Sequence, residues 1–190
     1  MSAMKKVLIA AGILVVIILM VWGWYMKTYN RFVRLDETVN SAWAQVENQL
    51  QRRYDLVPNL VNTVKGYATH EEKVLTEVTD ARARVGSATT INDKISANRE
   101  LTSALGRLLV VAEAYPNLKA NENFLDLQSQ LEGTENRIAT ERRRYNETVQ
   151  IYNTAIRGFL EQFVANRMNL SRKTFFESDK AAQKAPEVKF

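Results

Sequence analysis

Residues 7–26 read VLIAAGILVVIILMVWGWYM and contain no charged side chain. An α-helix rises about 1.5 Å per residue, so a run of this length spans about 30 Å, the thickness of the hydrocarbon core of a bilayer. Aromatic and basic residues at its end are typical of an anchor at the membrane surface, namely Trp22, Trp24, Tyr25 and Lys27. The stretch therefore predicts one transmembrane helix, preceded by a short tail of residues 1–6.

A cleaved signal peptide is the alternative interpretation of the same run. Such peptides usually have about 7–15 apolar residues and a cleavage site made of small residues. Here the run ends in bulky aromatic residues, so we expect an uncleaved anchor. The basic residues on its two sides nearly balance, so the positive-inside rule leaves the side of the membrane undecided.

The composition favours long helices after the membrane segment. The chain has only 7 Gly and 3 Pro in 190 residues, so turn signals are scarce. It has no Cys, which excludes disulfides, thiolate metal sites and cysteine nucleophiles. The net charge of +5 is modest, and the basic run Arg142–Arg144 fans around a helix instead of forming one face. We expect no nucleic-acid partner.

Residues 27–177 predict an all-α fold, an elongated antiparallel four-helix bundle. The transmembrane helix is expected to continue into the first bundle helix, because no Gly or Pro separates the two. A second helix is expected from about His70 to Val85. A third starts at Thr90, where Asp93 completes a capping-box-like signal, and ends before Pro116. Residues 178–190 lack an apolar period and predict a flexible tail.

The last helix, expected over Asn117–Asn169, has the clearest apolar period of the chain. Its apolar residues step by 3 and 4 through Phe159 and Phe163, which predicts coiled-coil-like packing. At about 80 Å it is longer than the second and third helices. We therefore expect part of its apolar face to meet a second copy of the chain, through Tyr145, Val149, Tyr152 and Ile156.

Pro58 lies inside the first bundle helix, where it predicts a kink, because a proline has no N–H for the helical hydrogen bond. Polar groups at such a break can line a pocket, and the candidates are Arg53, Asp55, Pro58 and Asn59. A structural role, as a surface ion pair or as partners of freed backbone groups, is the favoured alternative. We expect no catalytic, cofactor or metal site, since the single histidine, His70, has no second ligand at helical spacing.

Several ordered blocks carry a resemblance to a known family. They are YNRFV at 29–33, AWAQV at 42–46, QLQRRYDLVPNLV at 49–61, VKGYA at 64–68, HE at 70–71, AYPNLKA at 114–120, TENRIA at 134–139, RYN at 144–146 and FFE at 175–177. In these blocks the chain resembles the LemA family. The resemblance implies an N-terminal membrane anchor, a LemA-like four-helix bundle and a place in the bacterial envelope, and it brings no established catalytic activity. Similar members usually have Phe-Pro where this chain has Gly158-Phe159, which predicts a straighter final helix here.

Two functional hypotheses remain open. The first is a non-catalytic scaffold in the bacterial cytoplasmic (inner) membrane that crosses it once, forms a homo-oligomer and organises membrane or envelope partner proteins. The second is a sensor or ligand-binding bundle with a small pocket near Pro58 that signals through the membrane helix.

Overall fold

The computed structural model describes residues 3–68 and 70–176, and every regular element in these ranges is an α-helix. This confirms the predicted all-α fold. The helices are α1 Ala3–Lys65, α2 Glu72–Ser87, α3 Ile91–Ala112, α4 Pro116–Lys119, α5 Glu122–Ala155 and α6 Glu161–Arg167.

α1 joins the apolar N-terminal run to the interior of the protein. It starts at Ala3, inside the predicted tail, and continues without a break through Pro58 to Lys65. Residues 7–23 are all exposed, whereas Phe32, Val46 and Val57 further along the same helix are buried. Among the described residues, α1 is the one helix that is long and apolar enough to cross a membrane.

The chain divides into two compact units. The first takes its described residues from Met1–Ser41 and Glu147–Lys173, and the second takes them from Ala42–Asn146 and Thr174–Phe190. The predicted boundaries 1–6, 7–26, 27–177 and 178–190 stay predictions, and the last of these ranges lies outside the described residues.

The core of the second unit is built by one face from each of its helices. α2 and α3 pack against each other. The N-cap of α3 is as expected, because Thr90 Oγ1 accepts a hydrogen bond of 3.1 Å from the N–H of Asp93. The central buried residues are Val57, Leu60 and Val64 of α1, Leu75, Val78 and Ala81 of α2, Leu101, Leu105 and Leu108 of α3, Leu118 of α4, and Phe124, Leu127 and Leu131 of α5.

The interior of the first unit is smaller. α1 supplies the buried Phe32 and Val39. α5, α6 and the turn between them supply the other buried residues of the unit, namely Val149, Tyr152, Ile156, Val164 and Ala165. Asp36 of α1 forms an ion pair of 2.8 Å with Lys173, which follows α6. Its carboxylate also acts on the Tyr152 hydroxyl of α5. These contacts place the C-terminal half of α5 beside α1.

The predicted single helix over Asn117–Asn169 is wrong. Asn121 starts a new helix, since its Oδ1 accepts a hydrogen bond of 3.0 Å from the N–H of Phe124. At the other end, α5 stops at Ala155, and α6 begins only at Glu161.

The expectation of a straighter helix at Gly158 is wrong for a physical reason. Glycine loses the most backbone freedom in a helix and so favours a break. The N–H of Gly158 bonds to the carbonyl of Ala155, 3.3 Å away and three residues back, which is the tighter spacing of a turn. The apolar spacing continues across this break, so periodicity alone did not indicate it.

Candidate functional site

The predicted anchor residues lie at the end of the exposed apolar run of α1. The rings of Trp22 and Tyr25 stack with centroids 6.4 Å apart, and the Tyr25 and Tyr29 rings are 6.5 Å apart. Lys27 is exposed beside them. A row of aromatic rings next to a basic residue suits the boundary between lipid and water. The anchoring role of these residues stays a prediction.

The four candidate pocket residues do not converge. Arg53 points into the second unit and is 5% exposed, whereas Asp55 is exposed and accepts a hydrogen bond of 2.9 Å from Gln51 Nε2 on the same helix. Asn59 is also exposed, and Pro58 is half-buried. Only Arg53 of the four therefore lies where a pocket could use it.

Arg53 forms an ion pair with Glu135 of α5, whose side chain is half-exposed. Burial lowers the pKa of the Arg53 guanidinium from its ordinary value, and the negative charge of Glu135 raises it in opposition. Since an arginine pKa lies so high, Arg53 stays charged at physiological pH. The second unit therefore holds a buried cation with one carboxylate partner.

Two cavities flank this ion pair. The larger, of about 270 Å³, has mostly apolar walls from α1, α3 and α5, with Gln128, Glu132 and Glu135 at its polar side. The smaller, of about 70 Å³, is lined by three arginines, Arg53, Arg99 and Arg142, together with Asn98 and Phe176. Asn98 is buried, and its Oδ1 has no hydrogen-bond partner among the described residues. The small cavity thus combines positive charge with an unsatisfied polar atom.

Sequence reasoning missed both Glu135 and Asn98. Glu135 lies in the TENRIA block, but it is 82 residues from Arg53, so no local spacing connects the two. Only the packing of the helices brings Glu135 and Asn98 close to Arg53. Within residues 3–68 and 70–176, no three His, Cys, Asp or Glu side chains come together as a group that could hold a metal ion.

The four residues predicted to meet a second copy are buried within the chain itself. Tyr145, Val149, Tyr152 and Ile156 are each at most 7% exposed, so they are unavailable as an outer surface. The Tyr145 ring meets Trp43 edge-on at a centroid distance of 5.3 Å, and its hydroxyl donates a 2.9 Å hydrogen bond to the carbonyl oxygen of Thr174. The segment after α6 contacts this face at two points, because Lys173 also lies over the Tyr152 ring, 5.6 Å from its centroid.

Two asparagines hold that covering segment. The side-chain amide of Asn153 donates a hydrogen bond of 2.9 Å to the carbonyl oxygen of Lys173. Its Oδ1 accepts another, also of 2.9 Å, from the N–H of Lys173. Asn146 makes the same pair of bonds with Phe176, at 2.9 and 2.8 Å. Both asparagines thus use their side-chain amides in place of backbone pairing.

Burial raises the pKa of the Tyr145 hydroxyl, because its ionised form is disfavoured away from water. The same cause raises the pKa of Tyr152, with the charge of Asp36 as a further contribution. Both serve as packing residues.

Comparison with known proteins gives consistent results. A family model described as the LemA family matches residues 42–190, so the YNRFV block at 29–33 lies before the matched part. Magnetosome protein MamQ 2 of Paramagnetospirillum magneticum (strain ATCC 700264 / AMB-1) is 26% identical, over 82% of this chain and 67% of the relative. Protein LemA of Metamycoplasma hominis (strain ATCC 23114) is 24% identical, over 81% of this chain and 71% of that protein. None of these printed names describes a reaction.

Proposed function

Because the chain belongs to the LemA family, we propose that it is a non-catalytic, membrane-anchored helical scaffold of the bacterial cell envelope. It crosses the cytoplasmic membrane once, through α1, and assembles with further copies of itself. Its partners are the bilayer, its own copies and other envelope proteins, and not nucleic acid.

One observation carries this proposal. The exposed run of residues 7–23 and the buried core residues Phe32, Val46 and Val57 belong to one unbroken helix. An apolar run that no other part of the chain covers needs lipid or another helix around it. Within the first unit, the same helix supplies the buried Phe32 and Val39, so this unit lies next to the apolar run.

The side chains with reactive groups have structural partners, which supports a non-catalytic role. Arg53 pairs with Glu135, Asp36 pairs with Lys173, and Tyr115 donates a hydrogen bond of 3.0 Å to Glu71. Each pair joins two segments that pack together. These three pairs thus hold packed segments in register.

Self-assembly needs a surface other than the four buried residues of α5. The exposed run of α1 is the surface that we propose, since transmembrane helices associate by packing their side chains against one another. In the second unit, Val110 and Leu125 are exposed apolar residues that can add contacts between copies.

Light scattering of the full chain in mild detergent tests the scaffold. We expect one defined multimer whose mass is constant over the micromolar range. A version that begins at Tyr29 is the matched control. Loss of the multimer in this control assigns assembly to the α1 run, and its retention assigns assembly to the exposed apolar residues of the helical units. A full chain that is monomeric at every concentration contradicts self-assembly.

A second candidate function is the binding of a small anion. It is favoured by the small cavity, whose lining holds three arginines against one carboxylate, that of Glu135. This places the ligand beside Arg53 and away from the predicted site at Pro58. Anions pair well with guanidinium groups in a partly buried setting.

Calorimetry of the full chain with inorganic phosphate tests this second function. We expect a binding heat that Arg142→Ala removes, because Arg142 lines the cavity. Arg143→Ala is the control, since the exposed Arg143 is its neighbour on α5 but does not line the cavity. The absence of heat with phosphate, or equal loss in both variants, contradicts anion binding at this cavity.

A further inference from the structure

Three large apolar side chains are exposed in the turn between α5 and α6 and at the start of α6. Phe159 is 79% exposed, Leu160 51% and Phe163 65%. Phe159 is the most exposed large apolar residue in the described part of the chain. Burying such a side chain contributes about 1.5–3 kcal/mol, so three exposed neighbours leave a substantial stabilisation unused.

The turn over 156–160 is the reason for their exposure. A continued helix would keep Phe159 and Phe163 on the face that holds Tyr152 and Ile156, which are buried. The break at Gly158 redirects the chain, and the two rings leave the interior. The fold thus presents these rings at the end of a compact unit.

This turn lies at the membrane end of the first unit. On α5, Tyr152 lies near Asp36 of α1. Further along, Gly158 and Glu161, on either side of Phe159 and Leu160, line one open groove together with Arg31. α5 therefore runs antiparallel to α1, and the C-terminal end of α5 lies near the apolar run.

The distance to the lipid is short. Arg31 is five residues beyond Met26, the last residue of the uncharged run, which is about 8 Å along the helix axis. Thr28, two residues beyond Met26, is only 6% exposed, so another segment of the first unit covers α1 at that level. The polar layer on each side of a bilayer is about 5–8 Å thick. The turn is therefore level with the headgroups.

The charges around the turn match an anionic lipid surface. Lys27 and Arg31 are exposed on α1, and Arg157 and Arg167 are exposed on either side of the three apolar residues. Glu161 is the one acidic residue between Arg157 and Arg167. Exposed aromatic and aliphatic side chains flanked by basic residues are the composition that binds the interface of a membrane.

We propose that Phe159, Leu160 and Phe163 insert into the headgroup region of the leaflet from which α1 emerges. The first unit then has two attachments to the membrane, which restrict its rotation about α1 and its tilt on the surface. The partner is the lipid bilayer with anionic headgroups. This inference rests on the proposed crossing of the membrane by α1.

Fluorescence quenching in vesicles tests the insertion. The chain has no Cys, so a single introduced Cys can be labelled with a nitrobenzoxadiazole dye without competing thiols. Three full-length variants are needed, Phe159→Cys at the turn, Ile151→Cys as an exposed control on α5, and Val15→Cys inside the apolar run. Ile151 is four residues before the end of α5 at Ala155, so it lies about 6 Å further from the membrane than that end of the helix.

Each variant is reconstituted into vesicles of phosphatidylcholine and phosphatidylglycerol with nitroxide-labelled lipid. For the Phe159→Cys label we expect strong quenching by a nitroxide near the headgroup, several-fold more than for Ile151→Cys. The Val15→Cys label is expected to respond to a nitroxide deep in the acyl chain. Omitting phosphatidylglycerol is expected to reduce quenching at position 159.

The outcomes distinguish the proposed membrane crossing of α1 from the proposed insertion of the turn. Quenching at position 15 without quenching at 159 overturns the insertion of the turn and leaves the membrane anchor standing. No quenching at 15 overturns the anchor, and the insertion with it. A label at 159 that is shielded from water but not quenched, and whose signal grows with protein density, assigns the three residues to a contact with a second copy and overturns insertion into lipid.

Discussion

Arg82 of α2 donates a hydrogen bond from its Nε to the backbone carbonyl oxygen of Tyr54 in α1, across 3.2 Å. In an uninterrupted helix this carbonyl accepts from the N–H of residue 58, and residue 58 is a proline with no N–H. The Arg82 guanidinium also lies 3.9 Å from the centroid of the Tyr54 ring. Arg82 thus supplies the donor that Pro58 lacks, and in doing so ties α2 to α1.

This relationship predicts coupling between Arg82 and Pro58. Arg82→Met is expected to lower the free energy of unfolding by about 1–3 kcal/mol, the cost of an unsatisfied carbonyl. In a Pro58→Ala background the carbonyl regains its helical donor, so the same substitution should cost about 1 kcal/mol less. Thermal unfolding followed by circular dichroism measures both. Arg84→Met, which removes only the exposed pair with Glu100, is the control, and equal losses in the two backgrounds contradict the pairing.

Substitution by alanine is expected to change the free energy of unfolding differently at Gly133 and at Gly86. A Cβ on Gly133, inside α5, would meet no atom within 4 Å, so Gly133→Ala should raise the free energy of unfolding by about 0.5–1 kcal/mol through helix propensity. A Cβ on Gly86 would lie 3.1 Å from the Tyr54 hydroxyl, and Gly86→Ala should displace the ring that Arg82 covers. We expect this second change to be neutral or destabilising. A larger gain for Gly86→Ala than for Gly133→Ala in chemical denaturation would contradict this reading of the contact.

The buried Arg53 makes its carboxylate partner important for stability. Glu135→Gln leaves the guanidinium without its counter-charge, and we expect a loss of about 1–3 kcal/mol, below the usual cost for a fully buried pair because Glu135 is half-exposed. Arg53→Met removes the charge and keeps the volume, so it should cost less than Glu135→Gln or be neutral. Urea unfolding measures both, with Glu132→Gln as the control on the same helix. A costlier Arg53→Met would mean that the ion pair is net stabilising.

The raised pKa of Tyr145 predicts that the protein loses stability at alkaline pH. Its pKa is raised above the ordinary value of 10.0 in the folded protein, so the folded state holds the phenol proton more tightly than the unfolded state. The stabilisation is complete below pH 10, declines as the unfolded state ionises, and is fully lost above the raised pKa. Tyr145→Phe should cost about 1 kcal/mol at neutral pH, for the hydrogen bond to Thr174, and should flatten the alkaline decline. Unfolding at a series of pH values checks this, and an unchanged slope contradicts it.

Prediction from the sequence succeeded where the signal was local. The cap of α3 needed only Thr90 and Asp93, which are three residues apart. The end of α5 failed because the apolar period continues across the turn at Gly158, and a periodicity does not report a break that it spans. The candidate pocket failed in part because the direction of Arg53 depends on a partner in another helix.

The sequence by itself determined that the chain is helical and that its first helix has a run fit for a bilayer. These properties follow from composition and from spacings of three and four residues, which are local in the chain. Only the tertiary structure decided that Arg82 donates to the carbonyl that Pro58 leaves without a helical donor. It also decided that Tyr145 and Tyr152 face inward under the segment after α6, and that Phe159 and Phe163 are exposed. Each depends on which segments meet in space, and a linear pattern holds no record of contacts between residues far apart in the chain.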